Sequence, residues 1–204
     1  MKNNKIMILG AGNFQLEGIK SAIKLGYNVI TLDNIITNPG HKHSHISINC
    51  DYTDLEKIYK NVLKYKPTRI CTFASDLALL SVFLIEKKYK ISKSFNFDVK
   101  KLIFKDKFRK FQNAERLKSP KFLLLNKSFN SKSLIKFNKI NKLICKPYLS
   151  SGSKGIKLFD NKKTDSYETI IEYTKNSYYK NFIIEEYLEG TEYGGDVIIK
   201  NGNI

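Results

Sequence analysis

The run Lys5-Ile6-Met7-Ile8-Leu9-Gly10-Ala11-Gly12-Asn13-Phe14-Gln15 joins a short apolar strand to a glycine turn and then to the start of a helix. From Phe14 to Leu25, apolar Leu16, Ile19 and Ile23 recur at helical spacing, and Gly26 stands where such a helix stops. Asn28 to Leu32, ending at Asp33, reads as a second strand, Ile46 and Ile48 alternate as a third, and Arg69 to Phe73 is a fourth. Thr53-Asp54-Leu55-Glu56 has the capping-box pattern, so Thr53 is expected to cap a helix with Leu55, Ile58, Val62 and Leu63 on one face. Ser75-Asp76 caps a further helix through Leu77 to Ile85. Strands separated by helices of this length imply parallel units with right-handed crossovers. Residues 1–95 are therefore expected to form a doubly wound α/β domain.

The pattern changes in residues 96–204, which read as a second, α+β domain with antiparallel strands. Asp98 to Phe104 and Asp106 to Leu117 suit two helices broken by an Asp106 cap, and Pro120 ends that run. Phe122 to Leu125 reads as a strand, and Ser128 to Lys142 as a polar connection with a short helix. Strands Leu143–Lys146 and Ile156–Phe159, helix Asp165–Lys175, and strands Phe182–Glu185 and Tyr193–Ile199 follow. Asn201-Gly202 is a hairpin signal whose return strand is missing, so the reading is of a chain cut or broken short.

Composition narrows the function classes. Three scattered cysteines, Cys50, Cys71 and Cys145, share no C-x-x-C spacing, which points to a reducing, cytoplasmic setting. The apolar run after Met1 dies at Gly10, so no secretory leader is expected, and no apolar stretch is long enough to span a bilayer. The formal charge of +17 would suit a nucleic-acid binder. Yet only three of the 36 basic residues are Arg, and the lysines are spread along the whole chain, so a nucleic-acid partner is not expected.

Several local patterns carry chemistry. Gly10-x-Gly12 before a helix, with Asp33 closing the next strand, is what a dinucleotide site uses, although Gln15 stands where its third glycine belongs. His41, His43 and His45 alternate and could face a transition metal, but no acid or cysteine adjoins them, so a surface loop is the reading and no metal ligand is assigned. In Leu143-Ile144-Cys145-Lys146-Pro147-Tyr148-Leu149-Ser150-Ser151-Gly152-Ser153-Lys154-Gly155-Ile156, a strand delivers a lysine and a Ser/Gly loop turns back into a strand. Two glycines let backbone amides approach an oligophosphate, while hydroxyls and lysines add donors and charge. Phe182-Ile183-Ile184-Glu185-Glu186-Tyr187-Leu188-Glu189-Gly190-Thr191-Glu192 is a strand ending in paired acids beside an apolar residue, which suits an adenine slot.

In this order, the two stretches resemble the ATP-grasp superfamily of carboxylate ligases. Asp106-Lys107 looks like the family's first nucleotide lysine, Lys146-Pro147 with Ser151-Gly152-Ser153-Lys154-Gly155 like its second lysine and phosphate loop, and Glu185-Glu186-Tyr187-Leu188 with Glu192 like its adenine and ribose segment. Gly10-x-Gly12 and Asn38-Pro39-x-His41 resemble the Rossmann-like domain that precedes the grasp, and Ser75-Asp76 is closer to carbamoyl-phosphate-synthase-like members. The resemblance implies that Lys107 and Lys146 contact phosphates, that Ser151 is among the ATP-binding residues, and that Gly152 to Gly155 close over the phosphates. It implies that Glu185 holds the adenine amino group, the backbone of Glu186 and Leu188 the ring edge, and Glu192 the ribose. Gly12, Ser75 and Asp76 are candidates for the acceptor substrate.

Such enzymes transfer the γ-phosphate of ATP, with Mg²⁺, to a carboxylate, which an amine or similar nucleophile then attacks. Small-molecule carboxylates and amines, and a second copy of the chain, are the expected partners. The family's magnesium ligands are expected beyond residue 204. An inactive truncated remnant, an NAD-binding oxidoreductase domain and a basic nucleic-acid-binding module are the alternatives.

Overall fold

The computed structural model describes residues 4–91, 97–125, 129, 131–150, 152–162, 166–195 and 197, with backbone only at Ser131 and Ser166. The chain divides into two compact units, Met1–Arg116 with Leu149–Lys154, and Leu117–Tyr148 with Gly155–Ile204. The units thus part at residue 116, whereas the sequence pattern changes near residue 96.

In the first unit the order is β1 (Lys5–Leu9), α1 (Asn13–Lys24), β2 (Asn28–Asp33), α2 (Pro39–His43), β3 (Ile46–Asn49), α3 (Leu55–Tyr65), β4 (Arg69–Thr72), α4 (Asp76–Tyr89), α5 (Lys100–Ile103) and α6 (Lys105–Ala114). The four strands form one parallel sheet in the order β3-β2-β1-β4. Alternation along each strand divides its side chains between two apolar layers. Met7, Leu9, Ile30, Leu32 and Ile70 meet Ile58 and Val62 of α3 and Val82 and Ile85 of α4. On the other face, Ile8 and Val29 meet Ile19 and Ala22 of α1. Each fully buried Ile or Leu contributes about 1.5–3 kcal/mol of transfer free energy, so these two layers hold the sheet.

Three local readings are corrected. The cap of α3 is Asp54, whose side chain accepts from the Lys57 amide. Thr53 instead donates its amide and hydroxyl to Asp51 Oδ1, and the helix starts one residue later than the capping-box pattern implies. Asp106 does not cap α6. The cap position is Phe104, and Asp106 lies buried in the first helical turn, accepting from Lys110 Nζ at 3.1 Å. The histidines do not alternate along an extended segment, because Pro39 opens the short helix α2. There His41 turns inward and its Nδ1 lies 2.8 Å from the Thr31 hydroxyl, while His43 is exposed and His45 Nδ1 accepts from the Val29 amide.

The second unit contains β5 (Phe122–Leu125), a 3-10 helix (Ser131–Phe137), β6 (Lys142–Pro147), β7 (Lys157–Asp160), α7 (Ser166–Lys175) and β8 (Phe182–Glu186). Its strands pair antiparallel in the order β5-β8-β6-β7. One face of β6 and β8 places Leu143, Cys145, Phe182 and Ile184 in a core with Phe159, Ile170, Leu134 and Phe137. The last two belong to the stretch that reads as a polar connection; its lysines face water while Leu134 and Phe137 are fully buried. Residues 193–195 carry no strand, and the rest of the segment expected as strand Tyr193–Ile199, apart from residue 197, lies outside the described residues, as does Asn201-Gly202.

Candidate functional site

In the second unit the antiparallel ladder sets Lys146 opposite Ile183 and Ile144 opposite Glu185. Residues two apart on a strand share a face, so Lys146 and Glu185 are diagonal neighbours on the face away from the core. Lys146 Nζ donates to Glu185 Oε2 at 2.7 Å. The Glu185 side chain is 2% exposed and that of Lys146 21%. A cation and a carboxylate are therefore held together at the strand ends from which the Ser/Gly loop departs.

Glu186 follows with its amide donating to the Lys121 carbonyl at 2.9 Å, so what its backbone can offer a base edge is the carbonyl. Tyr187 donates its amide to the Lys142 carbonyl, which extends the β6–β8 pairing one residue beyond the strand. Leu188 is exposed, 64% open to solvent, and Glu192 lies exposed in irregular chain. Between them, Glu189 pairs with Lys142, which holds the Glu189 carboxyl below and the Lys142 ammonium above their ordinary ranges. Both groups are exposed, and such a pair adds little to stability.

The loop itself is shared between the units. Leu149–Lys154 belongs with the first unit, where Leu149 joins Phe83, Val99 and Ile103 in a small apolar cluster. There Lys105 of α6 donates to the Ser150 carbonyl at 2.9 Å, and the Ser150 hydroxyl donates to the Lys154 carbonyl at 3.2 Å. Gly152 and Ser153 both have positive φ, 63° and 57°. Ser151 lies outside the described residues. Lys107 sits on the first turn of the same α6, its Nζ 5.2 Å from the Phe104 ring centre. Lys107 and the loop thus belong to one unit, joined through the helix that carries Lys105. Gly155 belongs to the second unit, where its carbonyl accepts from the Tyr173 hydroxyl at 3.0 Å.

The acceptor candidates stand at the carboxyl edge of the parallel sheet. Ser75 caps α4 by accepting from the Ala78 amide, and Asp76 is in the first turn. The Gly12 amide donates to Gln15 Oε1 at 3.1 Å, and Ala11 donates to Asp33 Oδ2 at 2.8 Å. Asp33 is buried and also accepts from the Ile35 amide, so its carboxylate ties two loops together and is not presented to a ribose. Sequence reasoning missed this role of Asp33 and the partnership of Lys146 with Glu185; the period-2 pattern of β6 and β8 was the available signal for the latter.

Among the described residues, no group of three or more His, Cys, Asp and Glu side chains is placed to hold a metal ion. No described helix is long and apolar enough to cross a membrane.

No family model and no curated protein sequence matches the chain. Solved structures do. The L-amino acid ligase from Bacillus licheniformis superposes with a TM-score of 0.69 at 12% identity, over 93% of this chain and 48% of that one. The N5-carboxyaminoimidazole synthetase from Staphylococcus aureus complexed with ADP gives 0.66 at 17% identity, over 91% and 48%. The biotin carboxylase domain of the Hydrogenobacter thermophilus 2-oxoglutarate carboxylase, in complex with MgADP, ADP and bicarbonate, gives 0.66 at 14% identity, over 91% and 44%. These are ATP-grasp ligases. The architecture is that of a partial ATP-grasp fold. The chain spans just under half the length of the structures it matches, and at these identities the likeness concerns the fold.

Proposed function

We propose that this chain is the ATP-binding portion of a ligase that activates a carboxylate as an acyl phosphate for attack by an amine or similar nucleophile. The observation that carries the reading is the pairing of Lys146 with the buried Glu185 at the root of a Ser/Gly loop, in a fold shared with a ligase solved with ADP. Glu185 would accept from an adenine amino group, the Glu186 carbonyl and Leu188 backbone would follow the ring edge, and Glu192 would accept from ribose hydroxyls. Lys146 and Lys107 would neutralise phosphate charge, with residues 152–155 closing above it. ATP would supply the phosphoryl group that makes a carboxylate oxygen a good leaving group, and the chain's own contribution is positioning and charge neutralisation. Mg²⁺ would be expected with ATP, and among the described residues no acid cluster fits it.

Residues 1–95 are read as the Rossmann-like domain preceding the grasp, with Ser75-Asp76 favouring a carbamoyl-phosphate-synthase-like member and the cytoplasm as the expected setting. The spent carboxylate of Asp33 gives no support to an NAD site. What is proposed for the chain is nucleotide binding, with turnover assigned to the whole ligase. Calorimetry with ATP and with ADP tests it: Lys146→Ala should bind about tenfold or more weakly, the worth of a charge-assisted hydrogen bond. Equal affinity of variant and wild type would sink the role of Lys146.

A further inference from the structure

The carboxyl edge of the parallel sheet has a surface unlike the rest of the chain. Four apolar side chains lie open there: Phe14 after β1 is 84% exposed, Ile35 and Ile36 after β2 are 54% and 52%, and Phe73 after β4 is 38%. The order β3-β2-β1-β4 places their loops side by side, at the point where the chain reverses direction across β1. Open α/β sheets bind their ligands at this edge.

Charge says what kind of ligand fits. The chain carries 36 Lys and Arg, yet residues 10–15, 33–38, 50–54 and 72–76, which make this edge, contain none. Lys24, Lys42 and Lys66 mark the opposite edge, at or near the ends of α1, α2 and α3. Two backbone amides of the glycine turn are already engaged. Gly12 donates to Gln15 Oε1, Ala11 to Asp33 Oδ2, and Gln15 Nε2 reaches across to the Phe73 carbonyl. Gln15 thereby occupies the mouth of the glycine turn and ties the loops after β1 and β4 together.

We propose that this edge seats the apolar portion of a small-molecule amine and disfavours acceptors that carry a phosphate or carboxylate there. Apolar area drives such binding, and loops without Lys or Arg in a strongly basic chain, with Lys57 beside them already paired to Asp54, offer an anion little counter-charge while admitting an ammonium. The inference rests on the ligase reading, in which an amine is the attacking nucleophile, and it specifies that the amine is apolar and unphosphorylated.

Calorimetric titration of the 204-residue chain tests it with three probes, 2-phenylethylamine, 3-phenylpropionate and ribose 5-phosphate, each without nucleotide. The amine should bind saturably, and the matched carboxylate and the sugar phosphate at least about tenfold more weakly. Phe14→Lys and Ile35→Lys, both at exposed positions that tolerate a polar side chain, should each weaken the amine by about tenfold and leave ADP affinity unchanged. Tighter binding of the carboxylate or sugar phosphate, no saturable amine binding, or amine binding indifferent to both variants would overturn the proposal. So would self-association of the wild type that Phe14→Lys abolishes, which would assign the edge to a second copy. Because ADP is titrated separately, loss of the nucleotide reading and loss of the amine site give different results.

Discussion

Lys146 Nζ lies 2.7 Å from Glu185 Oε2, although the ladder pairs Lys146 with Ile183 and not with Glu185. The contact is diagonal, made possible because both side chains leave the face of β6 and β8 opposite the Leu143–Phe182 core. Glu185 is almost wholly withdrawn from water, so its charge depends on protein partners. Removing one member of a fully buried pair costs roughly 3–5 kcal/mol. Lys146 keeps a fifth of its side chain in water, so Lys146→Ala should fall below that range, at about 2 kcal/mol. Lys146→Met with Glu185→Leu should recover most of the loss. Urea unfolding of the single and double variants measures this, and equal loss in both would show that the pair is not the source.

Two glycines of the loop should behave differently when given a methyl group. Gly152 has φ +63° with nothing within 4 Å of an added Cβ, so Gly152→Ala should cost only the left-handed backbone penalty of about 1–2 kcal/mol. Gly155 has φ +69°, and its Cβ would stand 2.7 Å from Pro147 Cγ and from Tyr179 Cε2. Pro147 is held in its ring and Tyr179 is packed against Phe182 of the core, so Gly155→Ala should destabilise the chain clearly more than Gly152→Ala. If residues 152–155 cover phosphates, Gly152→Ala should still weaken ADP in calorimetry. Thermal melts showing the two variants equally stable would remove the steric argument.

The cysteines should be silent at neutral pH. Burial pushes Cys71 up to about 11 and Cys145 up to about 12, and Cys50 is raised by burial with the Asp54 and Asp51 carboxylates adding to it. The thiolate is the reactive form. A thiol reagent at pH 8 should therefore label the folded chain slowly and all three cysteines quickly in guanidinium. The linkage has a sign. For Cys145 the folded value lies above the ordinary 9.0, so its contribution is fully present below pH 9 and fades as pH rises toward 12. The stability difference between wild type and Cys145→Ala should shrink across that window, by up to about 1.4 kcal/mol per pH unit. A difference constant from pH 7 to pH 11 would contradict it.

How far the sequence reached depended on whether a feature was local. The Leu16, Ile19, Ile23 spacing and Gly26 placed α1 to within a residue or two, since period and stop signal lie in one window. The cap of α3 slipped by one residue because Thr53 and Asp54 are both good caps, and the hydrogen bond from Thr53 to Asp51 decides between them. His41 reads as a surface residue because its burial depends on Thr31, ten positions earlier in β2. The Lys146–Glu185 contact spans 39 positions and needs the strand order β5-β8-β6-β7, which no local pattern contains. The grouping of Leu149–Lys154 with the first unit follows from one apolar side chain, Leu149, joining Phe83, Val99 and Ile103, and a Ser/Gly-rich loop gives no hint of it.

Asp33 offers the sharpest choice between a structural and a cofactor role. Its two carboxylate oxygens each accept one backbone amide, from Ala11 at 2.8 Å and from Ile35 at 2.9 Å. Ala11 and Asp33 are buried, so Asp33→Ala strands at least one amide away from water, at about 1–3 kcal/mol for each group left unsatisfied. Asp33→Asn keeps one acceptor oxygen and turns the other end into a donor facing a donor, so it should lie between alanine and wild type. Both variants should lower the midpoint of thermal unfolding, and amide exchange should quicken at Ala11 and Ile35 before it does in the core strands. NADH fluorescence should stay unchanged on adding wild type or either variant. A saturable NADH signal that Asp33→Asn removes, with unaltered exchange at Ala11, would instead give the carboxylate to a ribose.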